Sequence, residues 1–282
     1  MKQVKQGFSV KKQFIRGKRV VGMSGAIAGA FSNLHRIGAF KNPPREILPR
    51  YVNAFCRKMA GAFDIEVVQV EPVPKNHALW ASNHLSWMDI PVIGSVVPGF
   101  FLSKAEIAEW PVFGKLMFAS GQLLIKRGAG DSGGVISQIT EFLGDGHSVM
   151  FFPEGTTTDG NSIKKIHGKI LQSAIDAGVP IQPIVVCYGN KDGTLSDALP
   201  YYGKQTMKTS MKKVLDSRDV TAYVLPLEAI ETDGKDQHEL RDILQERMDK
   251  GLVELHSRVA AKTTMAGTKA DKAEVKSNKM AA

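Results

Sequence analysis

The segment ASNHLSWMDIP, residues 81–91, carries the strongest local signal in the sequence. It follows an apolar run at residues 78–82 that predicts a buried strand. Pro91 lacks an N–H group and therefore suits an early position in a helix that begins within the segment. The segment predicts a strand that ends at a polar turn and is followed by a helix, which is the arrangement of an α/β fold.

The same alternation of strand and helix patterns continues on both sides of this segment. Strands are predicted at residues 65–70, 78–82, 99–102, 122–125, 148–152, 181–187 and 221–228, and helices at 112–119, 135–143, 162–177 and 236–260. An amphipathic helix is also predicted at 47–63, after the Pro43-Pro44 break, whereas the first nineteen residues show no clean period. The predicted fold class is α/β, a sandwich of a mixed, largely parallel and largely buried sheet flanked by helices.

His84 and Asp89 form the candidate general base. In a continuous helix their spacing would place them roughly 140° apart, so they can meet only if His84 lies on the turn and Asp89 in the first helical turn. An aspartate bound to one ring nitrogen fixes the tautomer and leaves the other nitrogen free to accept a proton. The alternative is a capping box in which Asp89 accepts backbone N–H groups and His84 is an ordinary loop histidine.

Three further segments place polar residues or prolines at strand ends. Lys126 and Arg127 end a predicted buried strand, where paired cations suit an anion such as a phosphate. A second strand runs directly into Phe-Pro-Glu-Gly-Thr, with Glu154 and Gly155 at the turn. A third begins at VPIQP, residues 179–183, and its two prolines fit a strand start or an edge. Each of these segments also has an ordinary structural explanation.

In this order and spacing the segments resemble the four sequence blocks of the PlsC-type glycerolipid acyltransferases, the 1-acylglycerol-3-phosphate acyltransferase family. The match covers about residues 80–186, and residues 101–114 also look like the segment that the family places between its first two blocks. The resemblance implies a glycerolipid acyltransferase-like sandwich. It further implies transfer of a fatty acyl group from acyl-CoA or acyl-carrier protein to the free hydroxyl of 1-acyl-sn-glycerol-3-phosphate, forming phosphatidic acid in phospholipid biosynthesis.

The resemblance implies a role for the residues of each block. His84 is the general base and Asp89 its orienting partner. The acceptor would be bound by Lys104, Lys126, Arg127, Glu154, Gly155 and Thr156, and the acyl or thioester pocket would be shaped by Val179, Pro180, Ile181 and Pro183. The thioester is already activated and the alcohol needs only deprotonation, so we expect no metal and no cofactor besides acyl-CoA or acyl-carrier protein as co-substrate.

Thr157 is one departure from the family pattern, because the family often has a basic residue directly after Glu-Gly-Thr. Losing a cation there would fit a less anionic or zwitterionic acceptor. The alternative acceptor is therefore lyso-ornithine lipid or another lysophospholipid.

The net charge of +9 is concentrated at the ends of the chain. Residues 1–58 hold 13 Lys and Arg against the single acid Glu46, while residues 59–261 are net acidic. Polybasic segments gain roughly 1 kcal/mol per cation at an anionic membrane surface. We therefore predict a basic membrane-contacting segment at 1–63, an acyltransferase domain at 64–261 and a disordered tail at 262–282.

Attachment to the cytoplasmic face of the cell membrane is expected to be peripheral, since no stretch reaches the roughly 18 to 20 apolar residues of a span. Two cysteines are too few for a disulfide framework, which favours a reducing compartment. A nucleic-acid partner is not expected, because the basic residues lie at the ends and not on a folded face.

Two rival functions remain. Residues 128–133 satisfy the G-x-G-x-x-G pattern of dinucleotide-binding proteins, although two cations separate the pattern from the preceding strand. The other rival is a membrane-binding scaffold without catalysis, against which stands the presence of both His84 and Asp89.

Overall fold

The computed structural model describes the backbone of residues 2–125 and 132–280 and the side chains of residues 12–125 and 133–261. The strands are β1 (Glu66–Gln69), β2 (Leu79–Ser82), β3 (Phe100–Lys104), β4 (Leu123–Ile125), β5 (Val149–Phe151), β6 (Ile181–Gly189) and β7 (Thr221–Pro226). The α-helices are α1 (Lys2–Arg36), α2 (Leu48–Ala62), α3 (Asp89–Gly94), α4 (Phe113–Ala119), α5 (Ser132–Gly144), α6 (Gln172–Ala177), α7 (Met207–Asp216) and α8 (Gln237–Met280). Two 3₁₀ helices lie at Ala105–Glu109 and Lys169–Leu171.

In the described part of the chain the strands form one sheet in the order β1-β7-β6-β2-β5-β3-β4. The pairs from β6 to β4 are parallel, β6 and β7 are antiparallel, and β7 and β1 are parallel. The predicted α/β class with a mixed, largely parallel sheet is therefore confirmed. Because β2, β3, β4 and β5 run in one direction, their carboxyl ends meet at one edge of the sheet, where such folds bind ligands.

Alternation along β2 shows how the strands separate two hydrophobic cores. Leu79 and Ala81 pack into one core with α5, α6 and α8, whereas Trp80 packs into the other with α2 and α3. Both faces of the central strands are covered, so β2 and β6 are buried at every position. That double coverage explains why these strands have near-continuous apolar sequences.

The predicted strands agree with the observed ones to within about two residues at each end, but the predicted helix at 162–177 is wrong over its first half. Residues 161–168 form a loop, and regular structure begins at the 3₁₀ helix Lys169–Leu171. The N–H of Lys164 donates to a carboxylate oxygen of Glu154, and the N–H of His167 donates to the carbonyl of Pro153. These backbone groups are therefore held by the neighbouring loop and do not form helical hydrogen bonds.

The two ends of the chain also differ from expectation. Residues 2–36 form helix α1, although the first nineteen residues showed no clean period. Helix α8 continues to Met280 across residues that were predicted to be a disordered tail. Ala and Lys are strong helix formers, which fits a helical backbone there. The division into 1–63, 64–261 and 262–282 stays a prediction.

Helix α1 packs against α2 and α7, and a buried arginine anchors it. Arg19 is 3% exposed and its Nη1 atom donates to the carbonyls of Val214, Leu215 and Ser217 at the carboxyl end of α7. Arg16 pairs with Asp216 close by. Several cations of the basic segment therefore bind acidic and carbonyl groups of the folded body.

Helix α2 confirms the amphipathic helix predicted at 47–63, and its apolar face is buried within the protein. Val52, Cys56 and Met59 lie in the same core as α3. Among the described residues, no helix has both the length and the apolar character needed to cross a membrane.

Candidate active site

The carboxyl edge of the sheet gathers the predicted polar segments. His84 lies two residues after β2, Glu154 lies three residues after β5, and Lys104 is the last residue of β3. Lys126 and Arg127 directly follow β4 and lie outside the described residues. The G-x-G-x-x-G pattern begins in the same gap, so its glycines at 128 and 130 are also outside the described part of the chain.

His84 and Asp89 are in direct contact. The Nδ1 atom of His84 lies 2.7 Å from Oδ2 of Asp89. His84 is on the turn at residues 83–88, called here the catalytic turn, and Asp89 opens α3, which is the arrangement that their spacing requires. The predicted pairing is therefore present, and it leaves Nε2 as the ring nitrogen available to a substrate hydroxyl.

The carboxylate of Asp89 is fully buried and accepts hydrogen bonds at both oxygens. Besides His84, Oδ2 accepts the N–H groups of Leu85 and Ser86 at 2.6 and 2.8 Å. Oδ1 accepts the phenol hydroxyl of Tyr188 at 2.5 Å. Asp89 thus has both roles that the sequence left open, since it binds backbone groups at the start of the helix and also orients the imidazole.

The ring of His84 stacks on Phe152, with ring centroids 3.9 Å apart and planes 15° apart. Its side chain keeps 18% of its surface exposed, so the imidazole is reachable from solvent. Within the described side chains Nε2 makes no hydrogen bond. Stacking and the Asp89 contact together hold the ring in one orientation.

Glu154 holds the backbone of the catalytic turn. Its Oε1 accepts the backbone N–H of His84 at 2.8 Å, and its Oε2 accepts the N–H of Lys164 at 2.8 Å. Burial raises the pKa of Glu154, and the two backbone hydrogen bonds oppose that rise. Both oxygens therefore accept hydrogen bonds within the protein, and the predicted contact of Glu154 with the acceptor stays a prediction.

The loop after Glu154 turns at two glycines. Gly155 has a φ of +66° and Gly160 a φ of +82°, the left-handed region that favours glycine. A Cβ atom at Gly160 would collide with the side chain of Leu85, next to His84. Between these glycines Thr156 is exposed, and the N–H of Thr158 donates to the carbonyl of His84 at 2.8 Å. The loop is thus tied to the catalytic turn.

Lys104 and the predicted acyl-pocket residues lie in different surroundings. Lys104 forms an ion pair with Glu106 at 2.9 Å and is partly exposed. Val179, Pro180, Ile181 and Pro183 lie at the amino end of β6, because Ile181 pairs with Leu79 at the start of β2. Pro183 pairs with Ala81, three residues before His84. The assignment of these residues to an acyl or thioester pocket stays a prediction.

Four supporting residues were missed by sequence reasoning: Asn83, Phe152, Thr158 and Tyr188. Asn83 exchanges two hydrogen bonds with the backbone of Val186, which joins the turn after β2 to β6. Asn83 and Phe152 lie within the quoted motifs, so their positions carried a signal. Tyr188 is 99 residues from Asp89 in the sequence, and its role depends on the pairing of β2 with β6.

An apolar groove lies beside the site. It encloses about 260 Å³ between α1, α2, α4, α7 and the residues around α3. Its wall includes Trp87, Ile90 and Pro91, which flank Asp89 in the sequence, and it extends past Ala30, Phe55 and Met211. The groove thus runs beside the catalytic turn and could hold a hydrocarbon chain.

No group of three or more metal-ligating side chains occurs in the described part of the chain.

A general base at the carboxyl edge of an α/β sheet, beside an apolar groove, suits transfer of an acyl group to a hydroxyl. Residues 64–187, which contain His84, Asp89 and Glu154, match the family model described as Acyltransferase. The fold and the site therefore define the chain as an acyltransferase.

Curated relatives narrow the class. A lyso-ornithine lipid O-acyltransferase from Pseudomonas aeruginosa is 36% identical over 203 residues, which is 72% of this chain and 77% of the relative. A 1-acyl-sn-glycerol-3-phosphate acyltransferase from Neisseria gonorrhoeae is 31% identical over 203 residues, covering 70% of this chain and 78% of the relative. The chain belongs to the PlsC-type family of glycerolipid acyltransferases.

A solved structure agrees on the fold. The crystal structure of the 1-acyl-sn-glycerophosphate acyltransferase PlsC from Thermotoga maritima superposes with a TM-score of 0.62 at 21% identity, covering 88% of this chain and 97% of the other. At that identity the likeness concerns the sheet and helices and not the substrate.

Proposed function

We propose that the chain transfers a fatty acyl group from a thioester donor, acyl-CoA or acyl-carrier protein, to the free hydroxyl of a lysophospholipid. The first candidate acceptor is 1-acyl-sn-glycerol-3-phosphate. The observation that carries the proposal is the contact between His84 Nδ1 and the buried Asp89 carboxylate. In the reaction Nε2 accepts the hydroxyl proton as the alcohol oxygen attacks the thioester carbonyl. The C–S bond then breaks, and the imidazolium returns its proton to the departing thiolate.

The site supports this step through its electrostatics. The fully buried Asp89 carboxylate lies 2.7 Å from Nδ1 and stabilises the imidazolium that forms during proton transfer. No covalent enzyme intermediate is needed. Both cysteines are buried, and burial raises the pKa of the Cys56 thiol to about 12, so neither thiol is poised as a nucleophile.

The apolar groove is the proposed acyl-chain site. Its wall includes Trp87, which lies in the catalytic turn, and Ile90 and Phe55, which pack against the same core as α3. A fatty chain bound there would place its carbonyl carbon near His84. The groove is a second candidate position for the acyl chain, beside the pocket predicted at residues 179–183.

Lyso-ornithine lipid is a second candidate acceptor, supported by two observations. A relative that is 36% identical carries that name, and Thr157 stands where the family often has a basic residue. Ornithine offers a carboxylate and an ammonium group, whereas the glycerol phosphate offers a dianion. The proposed cation contacts of Lys104, Lys126 and Arg127 would serve either anionic group.

The test is transfer of a labelled acyl group from acyl-CoA and from acyl-carrier protein to each acceptor. We expect wild-type product on 1-acyl-sn-glycerol-3-phosphate and its loss in His84→Ala, with His238→Ala, an exposed histidine at the start of α8, as the matched control. Product on lyso-ornithine lipid alone would keep the mechanism and change the acceptor. Activity that persists in His84→Ala would contradict the mechanism.

We also propose peripheral attachment to the cytoplasmic face of an anionic cell membrane. Trp110, Val112 and Phe118 are 43%, 44% and 62% exposed beside the groove, and Lys115 is exposed among them. Aromatic and basic side chains in one patch suit a lipid interface.

Cosedimentation with vesicles that contain anionic lipid tests this attachment. We expect binding at low salt and release at high salt. Material that leaves the membrane only in detergent would contradict a peripheral mode.

A further inference from the structure

Tyr188 is a buried, titratable side chain that is hydrogen-bonded to Asp89. The mechanism proposed above gives it no role. Its hydroxyl donates to Asp89 Oδ1 at 2.5 Å, while Asp89 Oδ2 lies 2.7 Å from His84 Nδ1. Tyr188 is 1% exposed and lies on β6, across from the turn that carries His84. The three side chains form one continuous chain of hydrogen bonds.

The two oxygens of Asp89 are not equivalent. Oδ2 binds the imidazole and two backbone N–H groups, so local structure would hold it even without β6. Among the described residues Oδ1 has one hydrogen-bond donor, the phenol of Tyr188. Burial and the neighbouring carboxylate raise the pKa of Tyr188 well above its usual value, so the phenol keeps its proton and always donates.

We propose that Tyr188 is a positioning residue for the catalytic base. Its hydroxyl fixes the Asp89 carboxylate so that Oδ2 faces His84. By donating a hydrogen bond, the hydroxyl also withdraws negative charge from the carboxylate, which limits how strongly Asp89 stabilises the imidazolium. This inference rests on the proposed function only in taking His84 as the base.

Other titratable groups near this chain of hydrogen bonds do not replace Tyr188. Glu154, from the loop after β5, acts electrostatically on both His84 and Asp89, but its two oxygens are engaged by backbone N–H groups. Cys187 precedes Tyr188 on β6, and burial raises its thiol pKa to about 12. Neither residue reaches Asp89 Oδ1 in the described part of the chain.

The first test measures the pKa of the His84 imidazole by NMR titration, without any substrate, in the wild type and in Tyr188→Phe. Removing the donor concentrates charge on Asp89 and stabilises the imidazolium, so the pKa of His84 should rise. Tyr223→Phe, which removes a phenol hydroxyl from the adjacent strand β7, is the matched control and should leave it unchanged. An unchanged His84 pKa in Tyr188→Phe would overturn the proposal.

A fluorinated tyrosine at position 188 covers the case in which Tyr188→Phe does not fold. 3-Fluorotyrosine keeps the hydroxyl and nearly the same shape but is a stronger hydrogen-bond donor. It should lower the pKa of His84, opposite to the effect of phenylalanine. A shift in the same direction for both variants, or no shift, would contradict control through hydrogen-bond donation.

Kinetics then connect the contact with catalysis. In Tyr188→Phe we expect kcat to fall about 10- to 100-fold with little change in KM, and the acid limb of kcat/KM to move to higher pH. The same substitution in an Asp89→Asn background should cost almost nothing, because Tyr188 acts through Asp89. Equal losses in both backgrounds would refute that route. Failure of acyl transfer in the wild type would overturn the proposed function and leave the NMR result intact.

Discussion

Asp89 makes four hydrogen bonds with groups from two parts of the chain, the catalytic turn and β6. The local part of this arrangement was predictable, since the spacing of His84 and Asp89 permits a contact only across a turn. The Tyr188 contact was not, because it depends on how β6 lies beside β2. Glu154 was predicted to bind the acceptor, which stays a prediction, and its two contacts with backbone N–H groups could not be predicted from the motif.

Replacing Asp89 by asparagine tests its role at the residue scale. The Asp89→Asn variant keeps the size of the side chain but loses the negative charge that stabilises the imidazolium, so kcat should fall by about 10²–10⁴-fold. Steady-state transfer assays measure the loss, with Asp249→Asn on the surface of α8 as control. A fall below about threefold, with the fold intact by circular dichroism, would argue against the His84–Asp89 base.

At the scale of elements, α2 was predictable because its buried positions repeat with the helical period. The central strands were predictable because burial on both faces gives short apolar runs. Helix α1 was not, since its contact surface is made by a long charged side chain and by small residues. Arg19 enters the core and satisfies carbonyls at the end of α7, a function that hydropathy does not report. The loop at 161–168 escaped prediction because Glu154 and Pro153 hold its backbone.

Replacing Arg19 by methionine should destabilise the protein by about 1.5–3 kcal/mol, because the carbonyls at the end of α7 lose a charged donor. Chemical denaturation measures the change in the free energy of unfolding. Lys18→Met is the matched control, since Lys18 is the adjacent, exposed residue and pairs with Asp64 at the surface. Equal effects of the two variants would show that Arg19 does not anchor α1.

At the scale of the whole molecule, cations of the basic amino-terminal segment form ion pairs with acidic residues of the folded body. The basic amino-terminal segment was predicted to contact an anionic membrane, and part of its charge instead complements the acidic body. Lys12 and Arg16 bind Asp216, Lys18 binds Asp64, and Arg45 binds Glu141.

The apolar groove also depends on the whole molecule, because its walls come from helices that are far apart in the sequence. No sequence pattern could therefore predict the groove, and the acyl pocket that the family resemblance implied at residues 179–183 stays a prediction.

Narrowing the groove tests whether it holds the acyl chain. Ala30 on α1 lines the groove, so Ala30→Phe should shift the donor preference towards shorter acyl chains while leaving short-chain transfer close to wild type. Competition between acyl donors of different length measures the preference. Ala28→Phe, on an exposed position of the same helix, should not change it. An unaltered preference in Ala30→Phe would place the chain elsewhere.

The most direct test of acyl transfer through a histidine base is the side-by-side assay of wild type and His84→Ala with labelled acyl-CoA and acyl-carrier protein, on 1-acyl-sn-glycerol-3-phosphate and on lyso-ornithine lipid. We expect wild-type product on 1-acyl-sn-glycerol-3-phosphate that falls to background in His84→Ala, while the variant keeps the wild-type melting temperature. Absence of His84-dependent product on either acceptor would contradict the proposed acyl transfer and favour a membrane-binding protein without catalysis.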